Sequence, residues 1–463
     1  MKSISSRIVI VGGGIAGVSC LDGLQDSPDL PQNAKLIFIC GKSGYIKRVK
    51  DYEKTGIVME KFDVTTEPVA SFSKDYEDVQ VIEDNVISWN HNRKILHLSS
   101  NQQVEYDILV IATGAKPKSL NSMKSERILT IRDTDTVRNL TEKLKSAERV
   151  AIIGDGGIGM ELAYELKSYQ LTWILKEVSM GSMFFDVQVA LEMEKHFQTG
   201  RKDGDSKNEA KYQKFTAEDH AQLKDNVLGC SLGPFWLGKL GQEPSTSRSL
   251  EVLRGVRVMQ YNVRDEEVEL ELSNGEKIAV DLVVEAMGVW PNSDLWKQNC
   301  SELKISEDGG IIVNECMMTT IPNVYACGDV CTVQWKSTSH LWRQMRLWTQ
   351  ARQFGHFTAR NILDPQAELD PCFEMFAHTT TFAGQKVVLL GDFDSKNGDV
   401  ELDYVNETIV RIVIRENKVV GACLIGESDC AEMFEQLILT ELDVSNCPRP
   451  LSNQYGDIVD YFD

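Results

Sequence analysis

This sequence has no apolar run approaching the roughly 18 residues that cross a bilayer. Its early apolar stretch, Arg7 to Val11, runs into glycines rather than a cleavage site, so we expect a soluble, unexported protein. There is no C-x-x-C pair. The eleven cysteines, at 20, 40, 230, 300, 316, 327, 331, 372, 423, 430 and 447, follow no framework spacing, which excludes a disulphide scaffold and points to reduced thiols in cytosol or nucleus. Basic charge is short, with 49 Lys and Arg against 69 Asp and Glu. A net charge of −20 repels a polyphosphate backbone and argues against direct nucleic-acid binding.

What is present is ordinary globular composition, 42% hydrophobic and 25% charged over 463 residues, enough for two or three domains. The chain opens with a strand, Arg7 to Val11, then Gly12-Gly-Gly-Ile-Ala-Gly17, then a helix with Ala16, Cys20 and Leu24 at i, i+4, i+8 spacing. In this G-x-G-x-x-G turn Gly12 permits the tight bend, Gly14 lets backbone approach a pyrophosphate, and Gly17 packs helix on strand. The helix N-terminus then holds the anion with free N–H groups and its dipole. The same grammar restarts at Arg149 to Ile153 with Gly154, Gly156 and Gly159, followed by Glu161 on the helix. For Glu161 two readings stand, a cofactor-facing acid and a carboxylate answering the helix dipole. Buried runs at Leu36 to Ile39, Tyr106 to Ala112, Leu282 to Ala286 and Val324 to Cys327 complete two doubly wound sheets. The fold class is thus α/β, two Rossmann-like dinucleotide domains, with an α+β C-terminal domain.

Three further segments, Tyr106 to Pro117, Ala286 to Asn292 and Ile321 to Val330, follow in order with both fingerprints. Together they resemble the pyridine nucleotide-disulphide oxidoreductase superfamily across about residues 5 to 365. The resemblance implies FAD at the first turn and NAD(P)H at the second. It implies that Asp329 hydrogen-bonds the ribityl or pyrophosphate part of FAD, beside a close backbone approach at Gly328; an N-cap role for Asp329 is compatible. It places the crossovers between nucleotide domains at Thr113-Gly114 and at Gly288. Further segments, Ile131 to Asp135, Phe184 to Asp186, Asp225 to Gly229, Gln344 to Arg352, Lys386 to Gly391 and Asp460 to Asp463, extend the likeness to one branch of that superfamily over essentially the whole chain. That branch implies association with the tRNA ligase complex, protection of the ligase from oxidation, and residence in cytoplasm and nucleus; we expect a monomer.

Expected domains are 1–118 with 286–365 for FAD, 119–285 for NAD(P) with an insertion at about 195–250, and 366–463 at the C-terminus.

The sequence departs from the superfamily in its thiols. The stretch Lys42 to Lys50, where a redox cysteine would meet the flavin, has none, and Cys40 lies too early. Cys327 and Cys331 read as buried small hydrophobes. Lys47 stands in that stretch, either a cation serving the reduced flavin or a solvated lysine. The acids that grip a ribose 2′-OH are absent: Cys40-Gly41 ends the second strand of the FAD domain, and Leu175-Lys176 ends the corresponding strand of the other. Lys176 reads equally as an acceptor of a 2′-phosphate and as a surface lysine. A helix is expected to begin near Trp342 and aim its positive end at the flavin.

Hydride from NAD(P)H to flavin N5 is the expected reaction, with Lys47 and Glu161 as candidate catalytic groups. Electrons then leave to dioxygen, a metal, a quinone or a partner protein. An oxidase-like flavoenzyme, a redox-dependent binding protein and a thiol-disulphide or small-molecule reductase remain as alternatives. The end of the chain, Gly456 to Asp463 with Asp460, Tyr461, Phe462 and Asp463, is expected to dock a partner, or else to pack on its own domain.

Overall fold

The computed structural model describes residues 6–120, 125–132, 134–166, 168–185, 187–199, 249–335, 339–394, 398–405, 408–426 and 430–454. The tail 456–463 lies outside these residues, as does most of the expected insertion. At its borders that insertion is narrower than 195–250. The helix Val187–Thr199 continues through its start, and the strand Ser249–Arg254 already pairs in parallel with Gln170–Leu175.

Two five-stranded parallel sheets organise the first three quarters of the chain. The first has the order Val324–Ala326, Ile108–Ile111, Arg7–Val11, Lys35–Ile39, Val79–Ile82. The second has the order Ile128–Thr130, Leu282–Glu285, Arg149–Ile153, Gln170–Leu175, Ser249–Arg254. Their central strands are continuous Val, Ile and Leu runs because helices and hairpins cover both faces. Phe38 in one sheet and Trp173 in the other are almost fully enclosed, each burial contributing about 1.5–3 kcal/mol. In both sheets the fingerprint strand is central, so its glycine turn emerges at the carboxyl edge, where ligands bind in open α/β sheets.

The chain crosses between the sheets twice. The crossing strands Ala115–Pro117 and Val289–Pro291 pair antiparallel, and Asn292 Nδ2 donates to Thr113 O at 2.9 Å. A third, antiparallel sheet has the order Ala377–Phe382, Gln385–Gly391, Lys418–Ile425, Thr408–Arg415, Asp399–Val405. The helix Ala431–Thr440 lays Phe434, Leu437 and Ile438 on it. This sheet and its helix touch both parallel-sheet regions. Phe382 packs against Phe184 and Phe185 at 5.0 and 5.8 Å. On the other side, the buried carboxylate of Glu435 accepts backbone N–H bonds from Ile57, Val58 and Met59 at 2.9, 2.7 and 2.8 Å. Those three residues form the tip of a hairpin, Tyr45–Lys54 with Glu60–Pro68, that carries Lys47. No helix among the described residues is long and apolar enough to cross a membrane.

Candidate active site

The glycines of the first fingerprint are required for two different reasons. Gly12 has φ +134°, and a Cβ on it would lie 2.1 Å from Ala112 O; one on Gly17 would lie 2.0 Å from Gly12 O. These two are glycine because protein fills the space. Among the described residues, a Cβ on Gly14 would meet nothing within 4 Å. The space beside Gly14 is left for a ligand, and Gly14 caps the helix Ile15–Gln25 with no side-chain cap and no acid in its first turn. Bare N–H groups with an open approach suit a pyrophosphate.

The second fingerprint repeats this chemistry. Gly154 has φ +113° and a Cβ there would sit 2.4 Å from Ala286 O, while one on Gly159 would sit 2.3 Å from Gly154 O. At Gly156 the nearest atom is Ala286 O at 4.0 Å. Gly156 caps the helix Gly157–Glu165, again with no acid in the first turn. Glu161 is buried beyond that turn, 7% exposed, so the helix-dipole reading does not fit its position.

Three elements meet around the first turn. Lys47 N donates to Gly13 O at 3.0 Å, and its Nζ lies 5.4 Å from the ring centre of Trp348. Trp348 opens the helix Trp348–Leu363. This corrects the expected start near Trp342: residues 342–347 form no helix, because their polar groups are satisfied otherwise. Gln344 bonds Val333 N and Cys331 O at 3.0 and 2.9 Å, Arg346 Nε donates to Asp329 O at 3.0 Å, and Gln350 Oε1 accepts from Met345 N at 2.7 Å. The helix still presents an N-terminus without an acid in its first turn beside Lys47.

Asp329 lies inside the single turn Gly328–Val330, whose N-cap is Cys327, so the N-cap role fails. Its carboxylate accepts from Arg132 Nη2 at 3.1 Å. Gly328, at φ +74°, would drive a Cβ to 2.6 Å from Ala16 Cβ, which brings this loop onto the first helix. Arg132 escaped the sequence reading, its only signal being membership of the segment Ile131 to Asp135. A Cβ on Gly114 would lie 3.5 Å from the same Arg132 nitrogen, so Arg132, Gly114 and Asp329 share one corner.

Cys40 and Gly41 lie beside Gly13, whose Cβ would be 3.0 Å from Cys40 Cβ. Burial pushes the Cys40 thiol up to about 11 and the Cys327 thiol up to about 12, and also raises Cys331 well above the ordinary thiol value. None of the three is a ready thiolate at neutral pH. Lys176 is 61% exposed and pairs with Glu177 at 3.1 Å. Glu177, one residue further on, puts a carboxylate near this strand end that the sequence reading did not weigh.

The chain matches the family described as pyridine nucleotide-disulphide oxidoreductase over residues 6–227 and 237–355. It is 32% identical over 504 residues to pyridine nucleotide-disulfide oxidoreductase domain-containing protein 1 of Rattus norvegicus, covering 99% of each chain. Among solved structures it resembles a ferredoxin reductase from Rhodopseudomonas palustris, with a TM-score of 0.66 at 18% identity over 91% of each chain. It also resembles the water-forming NADH oxidase of Lactobacillus brevis, with a TM-score of 0.67 at 17% identity over 99% of this chain and 100% of that one. The chain therefore belongs to the pyridine nucleotide-disulphide oxidoreductase family, whose cofactors, FAD and NAD(P)H, are those announced by its two glycine turns.

Proposed function

We propose that this protein is an FAD-dependent NAD(P)H oxidoreductase that works without a thiol pair. The observation that carries this reading is Lys47, on a strand bonded to the first glycine turn and set over Trp348, where a redox cysteine would otherwise be sought. When both cofactors are bound, they supply hydride transfer from nicotinamide C4 to flavin N5. The protein positions and stabilises. Gly14 and Gly156 hold pyrophosphates at bare helix ends. Asp329, oriented by Arg132, holds the sugar-phosphate part of FAD. Lys47 and the N-terminus of Trp348–Leu363 put positive charge where the reduced flavin carries negative charge. In this reading residues 1–118 with 286–365 bind FAD, 119–285 bind NAD(P), and 366–463 brace both. A thiol-disulphide reductase would need a reactive thiolate, and the raised Cys40, Cys327 and Cys331 thiols do not favour it.

The proposal extends to purpose. The full-length likeness to its relatives supports a role in which the reduced-flavin form associates with a tRNA ligase complex, in cytoplasm and nucleus, and shields it from oxidation. The acidic aromatic end, Asp460 to Asp463, is the proposed docking element. Adding NADH or NADPH without oxygen should bleach the flavin. Admitting air then separates an oxidase, which recolours at once, from a holding protein, which stays reduced for minutes or longer. A flavin that neither nucleotide bleaches overturns the reading. Removing residues 457–463 should abolish ligase association and leave FAD content and bleaching intact; undiminished association would remove the tail from the proposal.

A further inference from the structure

We infer that His91, Cys300 and Glu302 form a binding site for one Zn(II) ion, separate from the nucleotide sites. Their ligand atoms all lie within 4.8 Å of one another. His91 Nε2 is 3.0 Å from Glu302 Oε2, and Cys300 Sγ is 4.0 Å from the same oxygen. Bond lengths of about 2.0 Å to nitrogen and oxygen and about 2.3 Å to sulfur put neighbouring donors of a tetrahedral zinc roughly 3.3–3.6 Å apart. The His91–Glu302 pair would open by a few tenths of an ångström and the Cys300–Glu302 pair would close by about half an ångström, shifts within reach of side-chain rotation.

The site is built by the fold and does not depend on chance approach of mobile side chains. His91 follows the strand Val86–Asn90, and Trp89 on that strand fastens it. Trp89 Nε1 donates to Trp296 O at 3.0 Å, and the two indoles meet edge to face at 5.4 Å. Trp296 belongs to the short helix Asp294–Gln298, and the turn after it carries the other two ligands. Cys300 N donates to Lys297 O at 3.2 Å, and Glu302 O accepts from Thr320 Oγ1 at 2.7 Å.

The bland reading is a surface ion pair between His91 and Glu302 beside a buried, merely packing thiol. One observation tells against it. His91 Nε2 is shielded from solvent and has no hydrogen bond of proper geometry, although the carboxylate oxygen is 3.0 Å away. His91 Nε2 and Glu302 Oε2 stand as two ligand atoms around a metal do, close neighbours with no hydrogen bond between them, while the Cys300 thiol makes only a long 4.0 Å contact to the same oxygen. A mixed nitrogen, sulfur and oxygen set selects zinc over magnesium or calcium, which take oxygen alone. Thiolate and carboxylate together carry the charge that balances a divalent ion. Three protein donors leave a fourth position for water, and Glu302, 70% exposed, gives the ion a way in from solvent.

The test uses the flavin-loaded full chain, stripped of metal with a chelator and titrated with Zn(II) by calorimetry. One ion per chain is expected. Glu302→Gln, an exposed change without consequence for folding, should weaken binding by about tenfold or more. Replacing zinc with Co(II) should give a thiolate-to-cobalt band in the difference spectrum that Cys300→Ser loses. Failure of the wild-type chain to take up stoichiometric zinc overturns the proposal. So does equal affinity in Glu302→Gln, or a cobalt band that survives in Cys300→Ser, since the ion would then sit on other residues.

Discussion

At the first glycine turn, Gly12 and Gly17 close against Ala112 O and Gly12 O; at the second, Gly154 and Gly159 close against Ala286 O and Gly154 O. The surroundings of the two turns differ more than the turns do. The helix after the first is pressed by Trp348–Leu363 so closely that a Cβ on Gly355 would lie 2.4 Å from Ala16 O and 2.8 Å from Ser19 Cβ. The second turn has a looser border: Ser182 N and Oγ bond Asp155 at 3.2 and 2.6 Å, and neighbouring Val178 and Met183 are 70% and 57% exposed. A clamped turn suits a cofactor kept for the life of the protein, and an open-sided one suits a nucleotide that must come and go with each cycle.

The largest effect should come from breaking the clamp. Gly355→Val forces a branched side chain into Ala16 and should cost about 3 kcal/mol or more, read as a lowered melting temperature and lost FAD. Full flavin content at an unchanged melting temperature would show that the clamp is not what holds FAD. On the open side, Gly156→Val should fold normally and keep FAD, because among the described residues nothing comes closer to that space than Ala286 O at 4.0 Å. Its reduction by NAD(P)H should slow by about 100-fold. Reduction at the wild-type rate would mean that the second site is elsewhere.

A smaller effect sharpens the same contrast through pH. His356 lies in the clamp, where a Cβ on Gly23 would approach its Nδ1 to 3.1 Å, and burial with Arg352 nearby pushes its imidazole down from 6.5 to about 4. A folded value below the unfolded one contributes stability that is present above pH 6.5 and is lost as pH falls through 4. His356→Gln should therefore lose about 2 kcal/mol less than wild type between pH 7 and pH 5 in urea unfolding. Parallel losses in the two proteins would place the titrating group elsewhere. The smallest effect is expected from the joint replacement of Cys40, Cys327 and Cys331 by Ala or Ser, which should leave flavin reduction nearly unchanged once folding is verified. A folded variant that no longer turns over would restore thiol chemistry.

Both turns were legible in the sequence because local physics sets them: a buried strand, glycines at fixed offsets and a helix bare at its start. The strand expected over Tyr106 to Ala112 is Ile108–Ile111, and the one expected over Arg149 to Ile153 is unchanged. What the sequence hid depends on distant partners. Lys47 gains its setting from a hairpin whose tip is held by Glu435, nearly four hundred residues away. Arg132 is one arginine among many until the fold carries it to Asp329. Trp342, Met345 and Trp348 are spaced like a helix face. The expected helix nevertheless starts six residues late: Gln350 satisfies Met345 N and Arg343 O of an extended strap, and Gln344 and Arg346 of that strap reach out to the backbone of Asp329, Cys331 and Val333.

The central claim is hydride transfer between two nucleotides with no thiol relay, and an anaerobic titration of the FAD-loaded protein with NADH or NADPH tests it most directly. Flavin alone accepts two electrons, so full bleaching should consume one equivalent of nucleotide per FAD; a requirement for two equivalents would reveal a reducible disulphide and contradict the account.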